Sequence, residues 1–394
     1  MTMLQKAQSL HDELVNLRRD IHQHPELSFQ EFRTSALVAD TLAEVGGYNI
    51  RTGVGRTGVV AELGNEGPIL AIRADMDALP IQEVNDVVYR SVNDGVMHAC
   101  GHDAHTAILL GVAHLLKQSY LEDEWQGRVR LLFQPSEEAF DENGISGATA
   151  MIDDSALEDV DAVIALHVSS DEPSGEFHFQ DGYSLAAVDS FEAWIYGEGG
   201  HGAYPHTSRD PLFMLVPILS AIYAIPSRRI NPLQPVVVSL GQVHGGTATN
   251  VIPDRVHLAG TLRSHDPDVR ELICVELENA LKLSESLGGR YELALTKGYP
   301  SLFNAAEVND WMRTAARDFY GDSAVVNAQF GMGAEDFAYM AQAAPGAMFM
   351  LGASVPEGPA RHHHTNTFDI DETVLVKGAA VLAETARRYL TGAY

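Results

Sequence analysis

Residues 97–106, MHACGHDAHT, place five potential metal ligands in one short stretch of the chain: His98, Cys100, His102, Asp103 and His105. Cys100 is one of only 2 cysteines in the 394 residues. Thiolate, imidazole and carboxylate are the ligands that zinc and other borderline metals accept. Any one of these residues alone fits a helix N-terminus with an Asp cap and surface histidines. The set together predicts a metal site, although the spacing does not identify the metal.

The chain around this stretch alternates buried strands with helices, which predicts an α/β domain. An apolar-rich helix follows the stretch at 104–117, and three predicted strands end on polar residues: 68–73 before Asp75 and Asp77, 127–133 before Glu137 and Glu138, and 160–166 before His167. Ligands of open α/β sheets bind beyond the carboxyl ends of strands, so this recurrence predicts one shared site. Turn chemistry explains the Asp pair equally well, and a solvated acidic turn explains the Glu pair.

Composition limits the classes of protein that the chain can belong to. Its length predicts two domains, and 45% hydrophobic with 20% charged residues is typical of a globular protein. The net charge of -28 argues against nucleic acid or an anionic membrane as a partner, because phosphate groups need a basic surface. Two distant cysteines cannot form a disulfide framework.

The start of the chain is typical of an amphipathic helix over 4–21 and not of a signal peptide. No apolar run reaches the roughly 20 residues of a membrane span. A cytoplasmic enzyme is the expectation.

A second domain is predicted inside the first, because residues 184–297 follow a different order of elements. They are expected to form β-α-β-β-α-β, the ferredoxin-like arrangement, within a catalytic domain built from 1–183 and 298–394. Two Gly-rich loops in this insert, GEGGHGAYPH and GGTATNVIP, carry His201 and Asn250. Such loops approach ligands closely, but surface turns explain them equally well.

The motifs of the whole chain, taken in order, resemble those of one known superfamily. They are RADMDALP, MHACGHDAH, FQPSEEA, ALH, GGHGAYPH, GGTATNVIPD, GAEDF and a terminal His four residues before Phe368. The chain is similar to the metal-dependent aminoacylase and carboxypeptidase superfamily, in the branch of N-acyl-amino-acid amidohydrolases, hippurate hydrolases and auxin-conjugate hydrolases. The resemblance implies a mixed-sheet, metallopeptidase-like catalytic domain that holds two divalent metal ions (zinc, manganese, cobalt or nickel). It also implies that the insert is a lid through which the chain forms a homodimer or a higher homo-oligomer.

The resemblance also implies roles for single residues. The metal ligands are Cys100, shared by both ions, with His102, Glu138, His167 and His364. His364 is chosen because it stands four residues before Phe368, as in the family. Asn366 stands where the family often has proline, so His363 is the alternative. Glu137 is the general base, and His201 stabilises the oxyanion in a neighbouring subunit. Asn250 assists His201, Arg263 binds the substrate carboxylate, Asp77 orients a ligand, and Asp103 caps or braces the ligand loop, with His98 and His105 also bracing.

The predicted reaction is hydrolysis of the amide bond that joins an acyl group to an amino acid. Metal-activated water attacks, and a glutamate base transfers the proton. A carboxypeptidase or dipeptidase on the same scaffold is the nearer alternative, and a non-catalytic metal-binding protein is the remote one. The predicted partners are a small N-acyl amino acid or short peptide and a second copy of the chain, with no nucleic acid and no membrane.

Overall fold

The computed structural model describes residues 1–394 and shows two compact units. The first contains Met1–Gly182, Phe303–Gln329 and Tyr339–Tyr394, and the second contains Tyr183–Leu302 and Phe330–Ala338. The second unit therefore includes the range predicted for the insert, and it adds Tyr183 before it, residues 298–302 after it and the short segment Phe330–Ala338.

Sixteen strands and eleven α-helices make up the chain. The strands are β1 Asn49–Val54, β2 Gly58–Gly64, β3 Ile69–Asp75, β4 Arg128–Gln134, β5 Ala162–Ser169, β6 Phe177–Phe179, β7 Gly182–Leu185, β8 Ala187–Tyr196, β9 Gly200–His201, β10 Val236–Gly245, β11 Val251–Ile252, β12 Arg255–Ser264, β13 Arg290–Lys297, β14 Leu302–Asn304, β15 Val325–Asn327 and β16 Gly346–Gly352. The helices are α1 Met3–Ser9, α2 His11–Gln23, α3 Phe32–Val45, α4 His102–Glu122, α5 Gly147–Asp153, α6 Pro211–Ala224, α7 Pro267–Leu281, α8 Leu283–Ser286, α9 Ala306–Tyr320, α10 Phe337–Ala343 and α11 Leu375–Leu390.

The first unit is built on a mixed eight-stranded sheet in the order β1-β2-β4-β3-β5-β16-β6-β15. Its centre, β4-β3-β5-β16, is parallel, so the carboxyl ends of these strands lie at one edge. Every residue of β3 is buried, as expected for a strand covered on both faces. Helix α4 is buried along most of its length and packs against α2, α11 and the sheet. The sheet and α4 together fix the site described below.

The second unit is an antiparallel four-stranded sheet in the order β10-β12-β8-β13, with α6 and α7 packed against it. Burial alternates along β8, because one face of the strand contributes Phe191, Ala193 and Ile195 to the core shared with these helices. This core is separate from that of the first unit.

Several element boundaries differ from those expected from the sequence. The first helix is interrupted at Leu10, where the Ser9 hydroxyl donates to the Lys6 carbonyl at 2.6 Å and competes with the helical hydrogen bonds. The strand expected over 251–263 is divided into β11 and β12, because Pro253 has no N–H to continue a ladder. Strand β5 continues through His167, since it pairs with β16 as far as Ser169.

One helical segment, Pro211–Arg229, is long and apolar enough to cross a membrane by length and composition. A third of its most apolar window is buried in the second unit, and its last residues are Arg228 and Arg229. Core helices of soluble proteins meet the same criterion, so this is weak evidence for a span.

Candidate metal centre

The predicted ligands of the first unit come together beyond the carboxyl ends of β4, β3 and β5. Cys100 and His102 lie at the start of α4, Glu138 follows β4, His167 lies within β5, and His364 comes from the segment after β16. Sulfur, imidazole nitrogen and carboxylate oxygen atoms lie within 4.8 Å of one another in two groups: Cys100 with His102 and His167, and Cys100 with Glu138 and His364. Cys100 is common to both groups.

Gly101 allows Cys100 and His102 to lie side by side. Its φ of 92° is in the left-handed region, and a Cβ at this position would lie 2.3 Å from Cγ2 of Val168. His102 then begins α4, with Nδ1 2.9 Å from the carbonyl oxygen of Asp77 and 3.2 Å from its Oδ1. These acceptors place the ring proton on Nδ1, and Nε2 is buried with no hydrogen-bond partner.

Asp77 also holds the turn that carries Glu137 and Glu138. The Glu137 N–H donates to its Oδ1 and the Glu138 N–H to its Oδ2, both at 3.0 Å, and Ser28 donates a third hydrogen bond at 2.7 Å. Although burial opposes it, these contacts and His102 hold the pKa of Asp77 below its usual value. One buried carboxylate therefore orients the imidazole of His102 and holds the backbone turn that carries both glutamates.

The charges at the centre favour a bound cation. Burial raises the pKa of the Cys100 thiol well above its usual value, and the nearby Glu138 and Glu137 carboxylates add to the rise. Although burial alone would lower it, Asp75 and Asp77 raise the pKa of His102 to about 10. Glu138 Oε1 lies 3.3 Å from His364 Nε2 and 3.9 Å from His102 Nε2. A bound divalent metal would favour the deprotonated thiol and the neutral imidazole in place of these protonated forms. Thiolate, imidazole and carboxylate are ligands that such metals accept, so the residues fit two such ions.

The other histidines near the centre have different surroundings. His105 Nδ1 lies 2.6 Å from Asp75 Oδ1, and its Nε2 accepts the N–H of Val168 at 2.9 Å, so both nitrogens are engaged. His363 Nε2 accepts the N–H of Ser170 at 3.2 Å, whereas His364 shares a donor group with Cys100 and Glu138. His98 is buried, and burial lowers its pKa to about 4.

Asp103 lies in the first turn of α4 and makes a buried ion pair with Arg18 of α2, Nε to Oδ2 at 2.7 Å. It does not cap the helix, because the N-cap position is Gly101 and no side chain caps it. Arg18 also pairs with Asp369 and Glu372, both at 3.1 Å. The sequence reasoning missed Arg18, since it looks like one of the polar positions of an amphipathic helix.

The remaining predicted site residues lie in the second unit. His201 in β9 and Asn250 are exposed, and both line a cavity of about 900 Å³ within that unit, together with Trp194 and His257. Arg263 in β12 is half-buried, and its Nη1 donates to the Met332 carbonyl at 2.9 Å.

The sequence profile of peptidase family M20/M25/M40 matches residues 71–388, most of the chain. The chain belongs to this family. It is 40% identical to thermostable carboxypeptidase 2 of Saccharolobus solfataricus, over 97% of both chains. It is 39% identical to the N-acetyl-L-cysteine deacetylase of Bacillus subtilis, over 97% of this chain and 89% of the relative. A dinuclear metal-binding peptidase of the M20 family from Bacillus subtilis has a similar structure, with a TM-score of 0.83 and 33% identity over 97% of this chain and 99% of that one.

These likenesses confirm the superfamily and its amidohydrolase branch, the metal-dependent hydrolysis of C–N amide bonds and the pair of divalent metals. They also confirm the mixed-sheet α/β fold of this family. The role of each single residue stays a prediction.

Replacing Asp77 with asparagine is expected to weaken metal binding by roughly 10- to 100-fold, the usual effect of losing a residue that orients a ligand. The amide NH₂ replaces one of the two oxygens of Asp77, and it cannot accept the N–H group that this oxygen now receives from the Glu137–Glu138 turn. Competition with a chromophoric chelator measures the affinity. Asp94→Asn, the same change at an exposed position, is the control. An unchanged affinity in Asp77→Asn would show that this carboxylate does not orient the ligands.

Proposed function

We propose that this protein hydrolyses the amide bond between an acyl group and the nitrogen of an amino acid. The observation that carries the proposal is the pair of donor groups that share Cys100, with Glu137 next to the ligand Glu138 on one turn. Cys100, His102, Glu138, His167 and His364 would hold the two ions. When bound at such a site, divalent metals supply Lewis-acid chemistry and lower the pKa of water towards about 7.

Glu137 would act as the general base and then as the acid. Glu137 is buried, and its backbone N–H is held by Asp77, which fixes the point at which the side chain leaves the turn. It would accept the proton of the attacking water and deliver it to the nitrogen of the leaving amino acid. Burial keeps this proton from exchanging with bulk solvent between the two steps.

We further propose that the second unit is a ferredoxin-like lid that also forms a homodimer. Its β-α-β-β-α-β order and antiparallel sheet support the first part. An exposed apolar face on α6, with Phe213, Val216 and Tyr223, and the unpaired edge of β10 support the second.

His201 and Asn250 would stabilise the oxyanion in a neighbouring subunit, and this role is supported by their exposure beside one cavity. Arg263 would bind the substrate carboxylate after its hydrogen bond to the Met332 carbonyl breaks. A cytoplasmic location stays a prediction.

A carboxypeptidase or dipeptidase activity is the second candidate, because a relative with 40% identity is named a carboxypeptidase. The two activities share the metal centre and differ in the group on the acyl side of the bond.

A panel of N-acetyl and N-benzoyl amino acids and of dipeptides separates the two candidates. It is run with added zinc, manganese, cobalt or nickel. We expect kcat/KM for N-acyl amino acids to exceed that for dipeptides by at least tenfold, with all turnover lost in chelator and regained on adding metal. Faster hydrolysis of dipeptides would favour the peptidase. Hydrolysis of neither class by the metal-loaded protein would contradict both.

A further inference from the structure

Glu31 is a buried carboxyl group of the first unit that has no part in the proposed chemistry. It precedes α3, it is fully buried, and it belongs to none of the groups of potential metal ligands. Burying a carboxyl group is costly unless its oxygens are hydrogen-bonded, so its contacts show what it does.

One oxygen of Glu31 accepts two backbone N–H groups that come from distant parts of the chain. Oε1 lies 2.9 Å from the nitrogen of Phe29 and 2.9 Å from that of Ser136. These two residues have φ angles of 58° and 44°, in the left-handed region that side chains other than glycine rarely adopt. Such positions are energetically costly and persist only where their surroundings hold them.

Ser136 is the residue before Glu137, so its conformation sets the direction in which the following turn leaves β4. Three successive N–H groups of this turn are accepted by two buried carboxyl groups: that of Ser136 by Glu31, and those of Glu137 and Glu138 by Asp77. Asp77 also contacts His102, whereas the hydrogen bonds of the Glu31 side chain join it to Phe29, Thr57 and Ser136, none of which is a predicted metal ligand. The two carboxyl groups therefore fix different ends of the turn.

We propose that Glu31 is a positioning residue that holds Ser136 in its left-handed conformation and so aims the Glu137 carboxylate. The assignment rests on the proposed function only in giving Glu137 the role of base. The hydroxyl of Thr57 donates to the other oxygen, Oε2, at 2.5 Å.

The protonation state of Glu31 changes the strength of these hydrogen bonds but not which groups they join. Burial and the neighbouring Asp77 carboxylate raise the pKa of Glu31 to about 7, so both forms are present near neutral pH. A proton on Oε2, shared with the Thr57 hydroxyl, leaves the lone pairs of Oε1 for the two N–H groups.

The test compares Glu31→Ala with two double variants that add glycine at one of the left-handed positions. Glycine adopts a positive φ without the cost, so it should replace the support that Glu31 gives at that position. Ser136→Gly relieves the turn that carries Glu137, and Phe29→Gly relieves the other position as a matched control. Hydrogen exchange of the amides of 136–138 and the values of kcat and KM are measured in metal-loaded protein. Thr57→Val, which changes only the Oε2 contact, and Ser136→Gly alone are the references.

We expect Glu31→Ala to lower kcat by roughly 10- to 100-fold with little change in KM, because small displacements of a catalytic group have effects of this size. Exchange at 136–138 should become roughly tenfold faster or more. Ser136→Gly should restore most of the loss in kcat, and Phe29→Gly should not. The proposal is overturned if Glu31→Ala leaves kcat within twofold and exchange unchanged, or if Phe29→Gly restores kcat as well as Ser136→Gly does.

A second variant and a measurement that does not depend on activity complete the test. If Glu31→Ala does not fold, Glu31→Gln takes its place, because its neutral oxygen is a weaker acceptor, and a loss of roughly 3- to 10-fold with the same pattern of rescue is expected. If wild-type protein hydrolyses none of the substrates, the proposed function fails. Exchange at 136–138 then still decides whether Glu31 holds the turn.

Discussion

Replacing Glu137 with glutamine is expected to lower kcat by roughly 10²- to 10⁴-fold, the usual contribution of a general acid–base group. Glutamine has nearly the same shape, so it keeps the packing of this buried position but cannot accept a proton. The backbone N–H of residue 137 still donates to Asp77, so Glu138 and the metal ligands keep their places.

Turnover of the best substrate and elemental analysis of bound metal check this expectation together. The metal content should equal that of wild type, because Glu137 is not one of the five predicted ligands. Glu142→Gln, an exposed position in the same connection after β4, is the control and should leave kcat unchanged. Activity of Glu137→Gln within tenfold of wild type would rule out Glu137 as the base. A loss of metal in step with the activity would make it a ligand instead.

The sequence predicted the parts of the centre that depend on residue type and on strand ends. Parallel strands deliver their carboxyl ends to one edge, so Asp77, Glu138 and His167 could be assigned to one site before their distances were known. The stretch 97–106 presented its three histidines as equal candidates. They differ in their partners in space, since both nitrogens of His105 are engaged by Asp75 and the N–H of Val168.

Residues that act through long-range contacts left no signal in the sequence. Glu31 follows the first helices as an ordinary acidic residue, and its partner Ser136 lies 105 positions away. Strand β1 was also missed, because it is a largely exposed edge strand without alternating apolar residues. The hydrogen bond between Glu31 and Ser136 joins distant segments, and periodicity reports only on neighbours along the chain. Strand β1 pairs with the adjacent β2, but most of its side chains are exposed and give no alternating pattern.

Arg18 is the largest such omission, and replacing it with methionine is expected to destabilise the first unit by about 3–5 kcal/mol. Its side chain is fully buried and pairs with Asp103 beside the predicted ligand His102, with Asp369 and with Glu372. Methionine fills much of the volume but leaves buried carboxylates without their guanidinium, which is the costly way to break a buried pair. Arg19→Met is the matched control. Arg19 is about two-fifths exposed and pairs with the same Glu372, so its loss should cost less than about 1 kcal/mol.

Urea unfolding of both variants at pH 7 measures the effect, which should appear as a lower midpoint. The pH dependence supplies an independent check on the cause. Although burial opposes it, the Arg18 guanidinium holds the pKa of Asp103 well below its usual range. A carboxyl group whose pKa is lower in the folded state contributes its full stability above its unfolded pKa of about 4, and the contribution declines as the pH falls below that value. The gap between wild type and Arg18→Met should therefore narrow in acid. A gap that is constant from pH 7 to pH 3 would mean that lost packing, and not the charge on Asp103, accounts for the destabilisation.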